Sequence, residues 1–366
     1  DHRDLHSFPT RRSSDLSGTI TPDVMQEALE AYQRVYRKYD ASSINDIPVE
    51  VFYKELARYQ PLVNNAKEAF ADPKTGMAPG VMGLTAEDMQ NFYSQLPKRL
   101  ESVIWLEQSG KPGYEQAQAI AQKKFDVVQK PFTYSFGVSP DAMDYQTLLS
   151  LLLTLLCAVI AAPVFASDAQ TGAQDIQLCT KNGGLRLAAA KLAAAFSIIG
   201  AAYLLCGVVW ILVTNALFGW ESTQTSVQWL FSVTSLLPYT VGQMEWVMLV
   251  ANFLIFFAEV AFVLMASVWA KNNLTALSVA LISVVAPLIV YMVVPGSFGE
   301  WLSTLLPAGG IGLSNALLYK MISFDFLYAG GHAFFQADVL LASAPIKIVL
   351  LVGLAAWRYL RKTKVA

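Results

Sequence analysis

A chain of 366 residues that is 54% hydrophobic and only 15% charged, with a mean hydropathy of +0.41, does not have the composition of a soluble globular protein. Its net charge of −2 averages two unlike parts: residues 17–145 hold 17 Asp/Glu and 13 Lys/Arg, whereas residues 146–366 hold 8 and 10. Three scattered cysteines and three histidines supply no usual zinc or iron–sulfur ligand set, and no nucleic-acid partner is expected.

The chain opens with DHRDLHSFPTRRSSDL, which has neither a helical nor a strand period. Within it, His6–Leu16 resembles one reading frame of a DNA-sequencing adapter. Residues 1–16 are therefore read as an artefact and set aside from fold reasoning, with His2 and His6. On this reading the natural N-terminus is expected to lie upstream of residue 17.

Residues 17–145 read as a polar, mostly helical domain. Thr21 can cap a helix that has Pro22 at its first position and Asp23 in its first turn. That helix is expected to turn Val24, Leu29, Tyr32, Val35 and Tyr36 to one side and to end near Asp40. A second is expected over about 49–70, interrupted at Pro61. A third starts at Thr85, with Asp88 completing a capping box, and ends near Ser109–Gly110. A fourth covers about 114–129, and Pro131 and Pro140 punctuate the approach to the apolar part. With no cysteine, this domain has no disulfide.

Five apolar runs reach the roughly 20 residues that a membrane span needs: 146–166, 192–217, 246–270, 275–295 and about 339–359. The fold class expected is thus an all-α, polytopic membrane protein with a helical domain outside the membrane. Lys/Arg asymmetry sets the orientation. One set of ends carries Lys181, Arg186, Lys191, Lys271, Arg358, Arg361, Lys362 and Lys364, while loops 218–245 and 296–338 carry only Lys320. Loop 167–191, loop 271–274 and the C-terminus are then cytoplasmic. Domain 17–145 is extracytoplasmic, which requires a further span or a signal sequence upstream. Trp210, Trp220, Trp246, Trp269, Trp301 and Trp357 fall near span ends, as an aromatic belt does. Segments 226–240 and 301–328 are apolar but too short or too broken to cross. They are expected to be interfacial or re-entrant helices at the outer leaflet.

The sequence contains no G-x-x-x-x-G-K-[ST] phosphate loop, no G-x-G-x-x-G opening a helix and no His-based triad. Enzymatic chemistry is not expected, nor is a cofactor held by this chain. Glu259, in the middle of the third apolar run, marks a cavity, a proton path or a hydrogen bond to a neighbouring helix. Asn252, seven residues earlier and on about the same face, is expected to share that role. Lys347 is expected to snorkel outward. Loop 167–191 carries a short amphipathic segment, TGAQDIQLCT (171–180), with Ile176, Leu178 and Cys179 near one another. Gly183–Gly184 end it and Leu185–Lys191 lead back into the membrane.

The succession Pro163-x-Phe165, Asp168, Thr171-Gly172, Ile176–Leu178, Gly183-Gly184 with Arg186, and Ala190-Lys191 resembles the loop between the second and third spans of type-2 ABC exporter membrane subunits. In that family the acidic position is often Glu, and a Gly-Arg pair is contiguous. Here the residues are Asp168 and Gly184-Leu185-Arg186. The resemblance covers about 146–366. It implies a six-span permease in the plasma membrane whose loop is a coupling helix docking on a separate ATPase. Asp168, Thr171, Gly172, Asp175, Ile176, Leu178, Lys181, Arg186 and Lys191 are the loop residues concerned. It further implies ATP and Mg in the partner rather than here, and a homo- or heterodimer of permease subunits in the lipid bilayer. Two other readings of the residues remain: a membrane-anchored sensor or immunity protein whose external domain binds a ligand, and a proton-coupled transporter using Glu259.

Overall fold

The computed structural model describes residues 16–137 and 140–363. The adapter reading of residues 1–16, apart from Leu16, and the contribution of Lys364 to the charge asymmetry lie outside the described residues. The protein is 73% helical, and five helices are long and apolar enough to cross a membrane, the number expected. The chain folds into two compact units. One comprises the chain up to Pro140 with Asn215–Met244 and Gly330–Ala333. The other comprises Asp141–Thr214, Glu245–Ala329 and the chain from Phe334 on.

In the first unit, α1 (Pro22–Lys38) begins at the expected cap: the Thr21 hydroxyl accepts from the Val24 N–H at 3.5 Å, and Pro22 occupies the first turn. Its buried stripe is Met25, Ala28, Leu29, Tyr32, Val35 and Tyr36. Met25 rather than Val24 therefore completes the period, since Met25, Leu29 and Tyr32 stack at i, i+4 and i+7. The helix expected over 49–70 is not continuous. It passes through a short α turn, a π turn at Phe52–Leu56 and a 3₁₀ turn at Ala57–Tyr59 before α2 (Gln60–Ala69). Pro61 starts α2 rather than interrupting it. Thr85 and Asp88 form the capping box of α3 (Ala86–Gln90), each side chain bonding the other's backbone N–H. The chain breaks at Asn91, so the third expected helix is two: α3 and α4 (Phe92–Gln108). Next comes α5 (Tyr114–Phe125). Strand β1 (Gly18–Thr19) pairs antiparallel with β2 (Thr133–Tyr134).

Segment 226–240 belongs to this unit's core and is mostly not helical. Only Val227–Leu230 makes a helical turn, and Ser226 bridges Thr240. Val227, Trp229, Val233, Leu236 and Leu237 are buried. The Trp229 ring meets Phe92, Phe132 and Tyr134 with centroids 6.2, 6.2 and 6.4 Å away, and Asn65 Nδ2 donates to the Trp229 carbonyl at 3.3 Å. The Glu68 carboxylate accepts from the Ser232 hydroxyl at 2.5 Å and the Val233 N–H at 3.3 Å. The apolar character that suggested a membrane surface is instead used in a core built with residues about 95 to 165 positions upstream.

The second unit holds the long helices. α6 (Pro140–Ala161) passes into α7 (Pro163–Thr171), a run of 32 residues in all; then come α8 (Ala173–Leu178), α9 (Leu185–Phe218, 34 residues), α10 (Val241–Trp269, 29) and α11 (Asn273–Val293, 21). The stretch Asn215–Met244, which links α9 to α10 along the chain, belongs to the first unit. Two short helices, α12 (Gly296–Leu305) and α13 (Leu317–Ile322), occupy the broken apolar segment and are too short to cross a bilayer. A hairpin of β3 (Phe326–Ala329) and β4 (His332–Phe335) precedes α14 (Gln336–Thr363). Asn272 caps α11, its side chain accepting from the Thr275 N–H at 2.8 Å.

Candidate functional site

Loop 167–191 is built on an elbow. Pro163 has no N–H, so the ladder of the preceding helix is interrupted there. The freed N–H groups of Phe165 and Ala166 both donate to the Ser267 hydroxyl, each at 3.0 Å, and that hydroxyl donates to the Ala162 carbonyl at 2.6 Å. One side chain near the end of α10 thereby satisfies three buried backbone groups. Asp168 forms an ion pair with Lys191, which also donates to the Val164 carbonyl at 3.4 Å and lies 5.5 Å from the Phe165 ring centre. The two arms of the loop are thus clasped where they meet the bundle.

Beyond the clasp, Thr171 turns its hydroxyl back to the Ser167 carbonyl at 2.9 Å. Gly172 then takes φ +73°, a left-handed value that a side chain would resist. The segment 171–180 is therefore not one helix: α7 ends at Thr171 and the six-residue α8 starts at Ala173. Its amphipathicity also differs from the expectation. Gln174 is buried and Leu178, one turn on, is half-buried, whereas Asp175, Ile176 and Cys179 face outward; Ile176 is 73% exposed. Ile176 and Leu178 are two residues apart, about 200° around the helix, so they cannot share a face. Lys181 and Arg186 are exposed, and Arg186 donates to Asn182 Oδ1 at 3.2 Å. Gly183 packs so closely on the Gln177 carbonyl that a Cβ would overlap it.

Other ends meet this loop. Lys362 near the end of α14 donates to Gln174 Oε1 at 3.3 Å and to the Val268 carbonyl at 2.8 Å. The Asn273 N–H donates to Gln170 Oε1 at 2.9 Å. The three segments with the excess of Lys/Arg therefore come together at one end of the second unit. Ser267, Lys362, Gln170 and Asn273 carry no sequence signal of their own as parts of this elbow. Hydroxyls and amides at span ends are common, and only the fold shows which of them find a backbone partner.

Glu259 is 1% exposed. Its Oε1 is within hydrogen-bond reach of the Ser283 hydroxyl on α11, and its Oε2 has no partner among the described residues. Lys347 does not snorkel outward: its ammonium donates to the Thr304 and Leu306 carbonyls at 3.1 and 2.9 Å, at the C-terminal end of α12 where the helix dipole is negative. Asn252 is buried but lines a different small void, with Gln146, Ser150, Tyr203, Gly207 and Leu249. There Ser150 and Tyr203 share a hydrogen bond of 2.6 Å. The structure does not bring Asn252 to Glu259. Among the described residues no cluster of His, Cys, Asp and Glu could hold a metal ion.

No protein-family model matches the chain, and no curated protein or solved structure matches it either.

Proposed function

We propose that the chain is the membrane subunit of an ATP-driven exporter, an ABC-2-type permease in the plasma membrane. It couples to a separate ATPase through loop 167–191. The observation that carries this reading is α8: a short helix presenting Asp175 and Ile176 outward, on an elbow bound to α10, α11 and α14 through Ser267, Asn273 and Lys362. An apolar side chain that exposed, on a mount fixed to three membrane helices, suits a surface that receives a push and passes it on. ATP and Mg act in the partner, two permease subunits form the pathway, and residues 17–145 lie outside while the C-terminus is cytoplasmic.

Co-expression with an ATPase encoded beside this chain tests the reading. Detergent-stable co-purification is expected for wild type and its loss for the double substitution Asp175→Lys, Ile176→Asp. An unchanged yield of ATPase with the double variant refutes it. One observation favours a second reading: Glu259 keeps one carboxylate oxygen without a partner, among the described residues, inside a membrane helix. A proton-coupled transporter would lose transport with Glu259→Gln while needing no ATPase.

A further inference from the structure

The second unit contains a cleft of about 520 Å³ lined by Asp144, Tyr145, Thr147, Leu148, Leu313, Ser314 and Tyr319. That volume lies within the range of small-molecule sites, roughly 300–1,000 Å³. Its chemistry is split along α6: Asp144 accepts from the Tyr319 hydroxyl at 2.7 Å, and Leu148 follows one turn further on. The exposed neighbours Leu313 and Ser314 also line it. Among the described residues, Asp144 is the only charged one lining the cleft.

The position along α6 gives the split a meaning. Asp141, Asp144 and Gln146 fall in the first two turns, and from Thr147 the helix is almost wholly apolar. The cleft therefore straddles the level at which polar chain becomes membrane-spanning chain, on whichever side of the bilayer that end lies. Below it, Leu152 and Leu156 continue the line of Leu148 at i+4 and i+8, and they are 54% and 58% exposed. An apolar track thus runs from the cleft down the flank of the helix at hydrocarbon depth.

We propose that this cleft holds a bilayer lipid with a primary-ammonium headgroup, its N–H groups donating to Asp144, which the trimethylammonium of a choline lipid cannot do, and its chain along Leu148, Leu152 and Leu156. A carboxylate lining a cleft with no cationic side chain among its described lining residues favours a positive head at a membrane surface. Tyr319 fixes the carboxylate through Oδ1. The inference goes beyond the exporter reading and does not depend on it, because the site is defined by the helix end and the cleft alone.

The test uses the full chain in phosphatidylcholine vesicles with spin-labelled stearylamine or spin-labelled stearic acid, reading the immobilised fraction by electron paramagnetic resonance. Wild type is expected to retain the amine about fivefold better than the acid, the scale of one partly exposed charge-assisted hydrogen bond. Asp144→Asn removes that preference. Leu148→Trp, which fills the cleft with a large apolar side chain, removes the retained amine while far-UV circular dichroism and gel filtration stay those of wild type. Tyr319→Phe keeps the carboxylate and so keeps the sign of the preference at reduced size. Exchanging part of the phosphatidylcholine for phosphatidylethanolamine displaces the labelled amine. Equal retention of amine and acid by wild type overturns the proposal, as does an Asp144→Asn variant that behaves as wild type. Failure of phosphatidylethanolamine to compete overturns the assignment to a bilayer lipid.

Discussion

Trp229→Ala examines the part of the fold that departs most from the sequence reading. Trp229 is nearly fully buried and packs on Phe92, Phe132 and Tyr134, which join α4, β2 and the 226–240 segment. Deleting a buried indole costs about 3–5 kcal/mol, against a total of about 5–15 kcal/mol for a domain. For a unit of this size that is a fall in melting temperature of roughly 10 °C. Trp229→Phe provides the control. The indole N–H has no hydrogen-bond partner among the described residues, so phenylalanine loses ring area but sheds an unsatisfied donor, and a cost below about 1.5 kcal/mol is expected. Hydrogen exchange localises the effect. The Ile20 N–H donates to the Phe132 carbonyl at 2.9 Å, and the Phe132 N–H donates to Tyr93 Oη at 3.0 Å. Both amides should lose protection in Trp229→Ala. If alanine costs less than about 1 kcal/mol, or the Ile20 and Phe132 amides keep their protection, segment 226–240 is not part of that core.

Ser267→Ala strips the elbow at Pro163 of an acceptor for two N–H groups and a donor for the Ala162 carbonyl. A loss of about 2–4 kcal/mol in thermal unfolding is expected, whereas Ser267→Thr, which keeps the hydroxyl, should recover part of it. Gly183→Ala puts a Cβ into the Gln177 carbonyl; the expected result is a displaced α8, read as faster proteolysis within 173–184, while Gly184→Ala, where a Cβ meets nothing within 4 Å, leaves the digest unchanged. Burial of Glu68 raises its carboxyl above the ordinary 4.5. The folded state then holds a proton that the unfolded state has released, so stability falls as pH rises from about 4.5 through the raised value. Glu68→Gln should flatten that slope in melts taken from pH 4.5 to 7. Asp46 and Asp72 have the opposite sign. Their carboxyls are held below 3.8 by hydrogen bonds, chiefly from backbone N–H groups, so what they contribute is present above that value and lost on further acidification.

What was legible in the sequence is what depends on neighbours along the chain. The cap at Thr21, the capping box of Thr85 and Asp88, and the five apolar helices all follow from spacing that a helix enforces within one or two turns. The departures come from two causes. Segment 226–240 has the composition of an interfacial helix, but composition does not say whether lipid or protein covers an apolar face. The partners that cover Trp229 lie about 95 to 140 residues away and had no local signal. The same holds for Asn252 and Glu259. Their seven-residue spacing puts them near one face of an ideal helix, yet Glu259 is met by Ser283 on α11 while Asn252 lines a void with α6 and α9. A helix surrounded on several sides gives each turn a different neighbour, so shared phase does not make a shared site. At the loop, the residue types read correctly as a turn, a break and a basic return. The face that points outward is decided by Gly172. By ending α7 in a left-handed residue it starts α8 in a new phase, and Ile176 rather than Gln174 becomes the outward-facing side chain. A continuous helix over 171–180 would carry the phase of α7 through to α8. Gly172→Ala, which penalises the positive φ, is therefore expected to bury Ile176, and measuring protection of a cysteine placed there, Ile176→Cys, with and without the Gly172 substitution distinguishes the two arrangements.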